Sequence, residues 1–247
     1  MADIIRYETR PELRRPFFIE ALPGIGNVGK VAGDFIADST DAKRFATIYS
    51  EDFPPQVLLD EDSVVEMACN ELWYSRVDDR DVVFLRGEHQ GSTQEGQFRL
   101  ARRVMDILLE LDVSRIVTLG GYGLGEIVEE PRVLGAVSTK DIKQEFSGYG
   151  VVFSPNDPQA GIVGAAGLLI GFGKMHGIES ICLMAETSGF FVDHKAALAT
   201  VAVLTKMLGI DPDLTELRDK TDQIDALASR IKEAETQTKC DDLNYIG

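Results

Sequence analysis

Cysteine, histidine and positive charge are all scarce in this sequence. Its 247 residues include three cysteines, Cys69, Cys182 and Cys240, and three histidines, His89, His176 and His194. The cysteines are odd in number, far apart and never in a CxxC pair. That pattern argues against a disulfide framework and a structural zinc site, and it fits a reducing cytoplasm. Long apolar runs are missing too. The longest, Gly161–Gly173, carries five glycines and is too short to span a bilayer. The opening MADIIRYETRPELRR has no apolar signal core, so the expectation is a soluble cytoplasmic protein. Lys and Arg number 25 against 41 Asp and Glu, a net charge of −16. Phosphate backbones and anionic lipids repel such a surface, which disfavours nucleic acid and membrane as partners.

The hydrophobic fraction, 44%, is that of an ordinary globular protein, and the length allows one large domain with an appendage. Short β-branched runs alternate with helical patterns. Pro16–Leu22 reads as a strand, Val28–Ala37 as a helix and Arg44–Tyr49 as a second strand. From Val57 to Val77 apolar and polar residues interleave around Asp60-Glu61-Asp62, which predicts an antiparallel hairpin and hence a mixed sheet. Val82–Leu85 reads as a strand buried on both faces. It is followed by a helix whose stripe is Phe98, Ala101, Val104, Met105, Leu108 and Leu111. Arg115–Leu119 is the next strand, ending in glycine-rich GGYGLGE. Arg132–Val137 reads as a strand, Asp141–Phe146 as a short helix, Gly161–His176 as a buried helix, Ile181–Ala185 as a strand and Ala196–Leu208 as a helix. The fold class these elements define is α/β: three layers, α/β/α, over a mixed, mostly parallel sheet, with a C-terminal helical extension. Residues 1–211 form the core domain in this reading, and 212–247 a C-terminal helix and tail. In the extension Leu217, Ile224 and Ile231 recur at helical spacing, either packed on their own domain or forming a seam for self-association.

Single motifs are ambiguous. Gly24-Ile25-Gly26-Asn27-Val28-Gly29-Lys30 satisfies GxGxxG and the GxxxxGK part of a phosphate-binding loop, and it lies between a strand and a helix. Its amides, with Gly24, Gly26, Gly29 and Lys30, could cradle an anion. Val31, however, stands where a nucleoside triphosphatase needs Ser or Thr for magnesium. The bland alternative is that small residues let the turn pack tightly. Glu88-His89 and Asp193-His194 are acid/base candidates in loops after strands, although neighbours in a chain do not face each other. GxSxG is absent around Ser188, and Cys182 lies in an apolar strand as an inert core thiol. No metal site and no cofactor follow from these residues.

Taken as a set, EALPGIGNVGK, LRGEHQGSTQEG, RIVTLGGYGLGE, GIVGAAGLLIGFG and CLMAETSGFFVDHKAAL resemble the archaeal form of the proteasome assembly chaperone family, in order, from about Phe17 to Gly247. Two departures are visible: members often have ETPGY where this chain has Glu186-Thr187-Ser188-Gly189-Phe190, and His194 replaces a less functional residue. The resemblance implies an α/β/α domain related in architecture to nucleoside phosphorylases and lacking a demonstrated catalytic site, homo-oligomers and, in some members, binding of proteasome α-subunit rings through the C-terminal tail. The family's tail pattern is hydrophobic, Tyr, any residue. Here Tyr245 is third from last, a shift of one residue that moves the carboxylate about 3.3–3.6 Å farther from the ring. The residues implied for partner binding are Leu243, Tyr245, Ile246 and Gly247, an apolar end to an acidic segment. The functional expectation is a non-enzymatic chaperone acting on proteasome α subunits or the 20S proteasome. The competing expectation is a nucleotide- or phosphometabolite-binding enzyme using the Gly24–Lys30 loop.

Overall fold

A computed structural model describes residues 4–154 and 161–224 of the chain. The chain divides into two compact units, Met1–Pro212 and Asp213–Gly247. The first is built on an eight-stranded sheet. In chain order its main-sheet strands are β1 (Ile4–Tyr7), β2 (Phe17–Ala21), β3 (Lys43–Tyr49), β6 (Asn70–Val77), β7 (Arg80–Gly87), β8 (Arg115–Gly123), β9 (Val133–Val137) and β10 (Glu179–Thr187). A separate two-stranded sheet joins β4 (Val57–Leu59) to β5 (Val65–Met67). The helices are α1 (Val28–Ser39), α2 (Gln94–Glu110), α3 (Lys143–Gly148), α4 (Gly164–Met175) and α5 (His194–Leu208). The main sheet runs β1-β3-β6-β7-β2-β8-β10-β9.

Its centre, β7-β2-β8-β10, is parallel throughout, while β1, β6 and β9 run against their neighbours. Five of the eight strands therefore point one way, giving the mixed sheet expected from the interleaved pattern. Strand side chains alternate between faces. Phe18, Val83, Leu85 and Ile116 join Ala101, Val104, Met105, Leu108 and Leu169 in one buried cluster, which is the layer under α2 and α4. The alternating residues Ile19, Phe84 and Val117, also fully buried, belong to the opposite face. There α1 packs on β2 and β8, α5 packs on β10, and the two helices pack on each other. This is the three-layer arrangement, and fully burying each large apolar side chain contributes about 1.5–3 kcal/mol.

Local chemistry sets the helix ends. Thr93 Oγ1 accepts from Gly96 N at 3.0 Å at the start of α2, a side-chain cap for an otherwise orphaned amide. Gly209, at φ 75°, closes α5 in the left-handed conformation, as glycine does at helix ends. In the second unit residues 215–224 are helical.

Four elements differ from the sequence reading, and one of them is β1, an edge strand that the reading does not contain. Residues 57–77 are not one hairpin. β4 and β5 close around residues 60–64, whereas β6 leaves them to pair with β3 and β7, because its Leu72 is drawn into the core. β8 runs on through the glycines to Gly123. A Cβ at Gly121 would stand 2.3 Å from the Ile25 carbonyl oxygen, so glycine there permits a close neighbour rather than a chain exit. Finally, α4 is not fully buried. Only Leu169 and Gly173 are enclosed, and Met175 is largely exposed, because the helix covers the sheet with one face.

One carboxyl lies wholly inside the sheet. Glu20 in β2 is buried and accepts from Leu22 N at 3.2 Å and Leu119 N at 3.3 Å. Burial raises its pKa from 4.5 to about 8, and the two amides only partly oppose that. Its folded-state pKa lies above its unfolded value, so its contribution to stability is full below about pH 4.5 and is lost as pH rises through 8. Replacing Glu20 by Gln keeps an acceptor and removes the charge. Thermal melts of Glu20→Gln should lose this pH-dependent component and gain most over wild type at pH 8 and above. An unchanged pH profile would show that Glu20 ionises without cost.

Candidate functional site

Where the parallel strands end, three loops are locked together. The Gly24–Lys30 segment leaves β2 through a single 3₁₀ turn, Ile25–Asn27, before α1 begins. Gly26 has φ 62°, a region glycine enters without strain. A Cβ there would lie 2.8 Å from Thr187 Oγ1, and one at Gly29 would lie 2.6 Å from the Leu119 carbonyl oxygen. Thr187 in turn donates to Asp193 Oδ2 at 2.6 Å, Asp193 N donates to the Gly26 carbonyl at 2.9 Å, and Leu124 N donates to the Thr187 carbonyl at 2.9 Å. Asp193 also caps α5 by accepting from Ala196 N at 2.9 Å. The loops after β2, β8 and β10 thus form one rigid edge.

This edge exposes apolar side chains. Ile25 lies over Gly123 and Gly189, whose Cβ positions would stand 3.3 and 3.2 Å from its Cγ2. Leu124 and Ile127 in the segment after β8 and Phe190, Phe191 and Val192 in the loop after β10 are exposed as well, Phe190 to 73%. Ser188 is buried and accepts from Phe190 N at 3.4 Å. Glu186 is held by Arg132. That hydrogen bonding lowers its pKa against the opposing effect of burial.

A second surface is polar. A cleft of about 440 Å³ lies among α1, the ends of β6 and β7, and the β4–β5 hairpin. Lys30 sits in it, bound to Glu88 at 2.7 Å and Asp34 at 2.9 Å. Burial would lower the pKa of this ammonium, but the two carboxylates more than offset it and the pKa is raised. Arg86 bridges Asp34 at 2.7 Å and Asp38 at 2.9 Å and lies over the Trp73 ring. Two cations here face five carboxylates, Asp34, Asp38, Glu66, Glu71 and Glu88. His89 meets Gln56 at 3.4 Å between Nε2 atoms.

The sequence candidates therefore separate. Gly26 and Gly29 serve close packing, Gly24 faces open space, and Lys30 points to the carboxylates of the cleft. Glu88 and Asp193 are engaged with Lys30 and Thr187 respectively. Cys182 is fully buried, and burial pushes its pKa up to about 12. Leu217 and Ile224 lie in the helix 215–224, Leu217 buried. Ile231, Leu243, Tyr245, Ile246 and Gly247 lie outside the described residues. Among the described residues no cluster of His, Cys, Asp and Glu is placed to hold a metal ion, and no helix is long and apolar enough to cross a membrane.

Two features escaped the sequence reading. Gln90 donates to the Pro23 carbonyl at 2.7 Å and accepts from Ala165 N at 3.0 Å, tying the loop after β7 to β2 and α4. A lone glutamine carries no motif. The exposed apolar edge had a signal, Phe190-Phe191-Val192 directly after a glycine in a loop, where apolar triplets are unusual.

An α/β/α domain with a rigid, largely apolar loop edge and paired charges in its polar cleft defines the class of protein. The PAC2 family profile matches residues 18–232, and the chain belongs to that family. It is 33% identical over 244 residues to an uncharacterized protein of Methanocaldococcus jannaschii, across 95% of this chain and 93% of the relative. Among solved structures, Pyrococcus furiosus PbaB, described as an archaeal proteasome activator, is similar with a TM-score of 0.87 and 37% identity. That match covers 93% of this chain and 98% of PbaB. Pyrococcus furiosus PbaA, described as an archaeal homolog of proteasome-assembly chaperone, has a TM-score of 0.77 at 22% identity, over 97% and 96% of the two chains. The second likeness is one of fold. The family resemblance read from the sequence segments is borne out.

The Thr187–Asp193–Gly26 clip makes a testable demand. Asp193→Ala removes a helix cap and a buried hydrogen bond, a loss of about 1–3 kcal/mol, or a Tm lower by several degrees at this chain length. Asp193→Asn, which keeps the cap oxygen, should retain most of the stability. Equal melting of wild type and Asp193→Ala would show the clip to be incidental.

Proposed function

We propose that this protein is a non-enzymatic, proteasome assembly chaperone-like factor that self-associates and contacts proteasome α subunits through its C-terminal segment. The observation that carries the reading is the likeness to PbaB over nearly the whole of both chains at 37% identity, together with PAC2 membership. In this reading Leu243, Tyr245, Ile246 and Gly247 make the partner contact, and Leu217, Ile224 and Ile231 contribute to self-association. Several tails on one oligomer raise a weak individual affinity through effective concentration, provided their spacing matches that of the partner's pockets. Occupying an α-subunit surface until the correct neighbour arrives is the proposed mode of action.

The phosphate-binding alternative is less well supported. An anion approaching Lys30 must displace Glu88 and Asp34 and enter a cleft where carboxylates outnumber cations. A thermal-shift screen with phosphate and nucleotides is expected to be flat. A saturable shift lost in Lys30→Ala would restore the enzyme reading.

The direct test is a pull-down with recombinant archaeal proteasome α rings. The full chain should be retained, and a chain ending at Asp242 should lose that retention while its oligomeric mass by light scattering stays the same. Undiminished capture by the shortened chain would reject the tail as the contact.

A further inference from the structure

We infer that the apolar loop edge formed by Ile25, Leu124 and Phe190 is a docking surface for a polypeptide segment that carries a large apolar side chain flanked by lysine or arginine. This goes beyond the tail-mediated contact and rests on different residues. Ile25, Leu124, Ile127, Phe190, Phe191 and Val192 are all exposed large hydrophobics, and they sit on three loops that converge at one end of the sheet. Single exposed apolar residues need no explanation, but a contiguous group is a mark of an interaction site. Phe190, at 73% exposure, is the aromatic anchor of the group, the residue type that concentrates binding energy when a partner covers it.

The mount is built to hold this group still. Gly26 at φ 62° and Gly189 at φ 80° take left-handed conformations, and Gly123 and Gly189 leave room for Ile25 to lie flat across both loops. Asp193 ties the β10 loop to Gly26 and Thr187. A surface already fixed in its bound shape loses little entropy on association.

Charge decides which partner fits. The segment that presents Leu124 and Ile127 also carries exposed Glu126, Glu129 and Glu130, and among the described residues Lys195 lies 3.6 Å from Glu129. A second copy of this chain would bring the same glutamates against these, which opposes pairing of two such edges. The acidic turn of the β4–β5 hairpin, Asp60-Glu61-Asp62, meets the same repulsion. Anionic lipid and nucleic acid are repelled likewise. A basic segment is attracted, and its apolar side chain covers Phe190 and Ile25 while its cations meet the glutamates.

The test uses the full chain and three short fluorescent peptides followed by anisotropy. One carries Leu-Phe flanked by lysines, one carries Leu-Phe flanked by glutamates, and one keeps the lysines with Leu-Phe replaced by serines. The lysine-flanked apolar peptide should bind saturably, more weakly as salt rises, and each of the other two should bind roughly tenfold more weakly or worse. Phe190→Ser and Ile25→Ser, both at exposed positions, should each weaken the first peptide by about the same factor. Replacing Glu126, Glu129 and Glu130 together by Gln should narrow the gap between lysine- and glutamate-flanked peptides. Leu59→Ser, in the exposed hairpin, should change nothing, and removing residues 243–247 should also leave peptide binding intact. Equal binding of the two flanked peptides, or wild-type binding by folded Phe190→Ser and Ile25→Ser, would overturn the proposal. A fall in oligomeric mass in Phe190→Ser would overturn it too, by showing that a second copy covers the surface.

Discussion

Gly29 and Gly33 let α1 lie against the sheet so closely that a Cβ on either would strike it, 2.6 Å from the Leu119 carbonyl oxygen and 2.2 Å from the Ala21 Cβ. That proximity sets the depth of one helical layer and the position of everything α1 carries. The turn before α1 is pulled onto the ends of β8 and β10, where Gly26 meets Thr187 and Asp193 closes the circuit. Lys30, one residue past Gly29, is thereby turned toward Glu88 and the polar cleft. Larger residues at these glycines would push the helix outward and separate the three loops that share the edge. The rigidity of the exposed apolar group is a consequence of packing beneath it.

Electrostatics tells a second, consistent story. The chain carries a net charge of −16, yet three of its half-buried cations are each held by two carboxylates: Lys30 by Asp34 and Glu88, Arg86 by Asp34 and Asp38, Arg115 by Glu145 and Glu179. These three cations are neutralised locally, and the acids in excess remain to give the surface its negative charge. Such a surface suits partners that are themselves basic or that bind through apolar contacts. It explains why a glycine loop ending in lysine, tempting as a phosphate cradle, is surrounded by the wrong sign of charge.

Much of the fold was legible because local pattern and long-range packing agree. The run VVFL is buried on both faces of a parallel strand, and its apolar continuity says so directly, whereas FFIEA is read as a strand although Glu20 interrupts its apolar run. Of the α2 stripe Phe98, Ala101, Val104, Met105, Leu108 and Leu111, the middle four are buried as read, while Phe98 is exposed and Leu100 is buried in its place. Gly209 and Pro212 end α5 as their backbone preferences dictate. The errors came where one composition serves two structures. Alternating residues from 57 to 77 fit either one long hairpin or a small hairpin followed by a sheet strand, and strand partners decide between them. The near-apolar run of α4 suggested burial despite its glycines, but the helix covers the sheet with one face only. At the site, sequence singled out Gly26, Gly29 and Lys30 as candidates for an anion cradle and Glu88 and Asp193 as candidates for acid/base work, whereas the structure engages them in packing, an ion pair and a helix cap. Which of them touch each other depends on sheet order, which no local signal encodes.

That sheet order bears on how the molecule comes into being. β2 pairs on one side with β7 and on the other with β8, and β8 is completed by β10, which begins at Glu179. A strand near the start of the chain therefore waits unfilled on one edge until residues beyond 115 have been synthesised, and the α1 layer waits for α5. Contacts of such sequence separation slow folding and prolong the life of open strand edges. During translation the nascent chain carries one open edge of the FFIEA strand until the partner strand that shields it, beginning at Arg115, emerges from the ribosome.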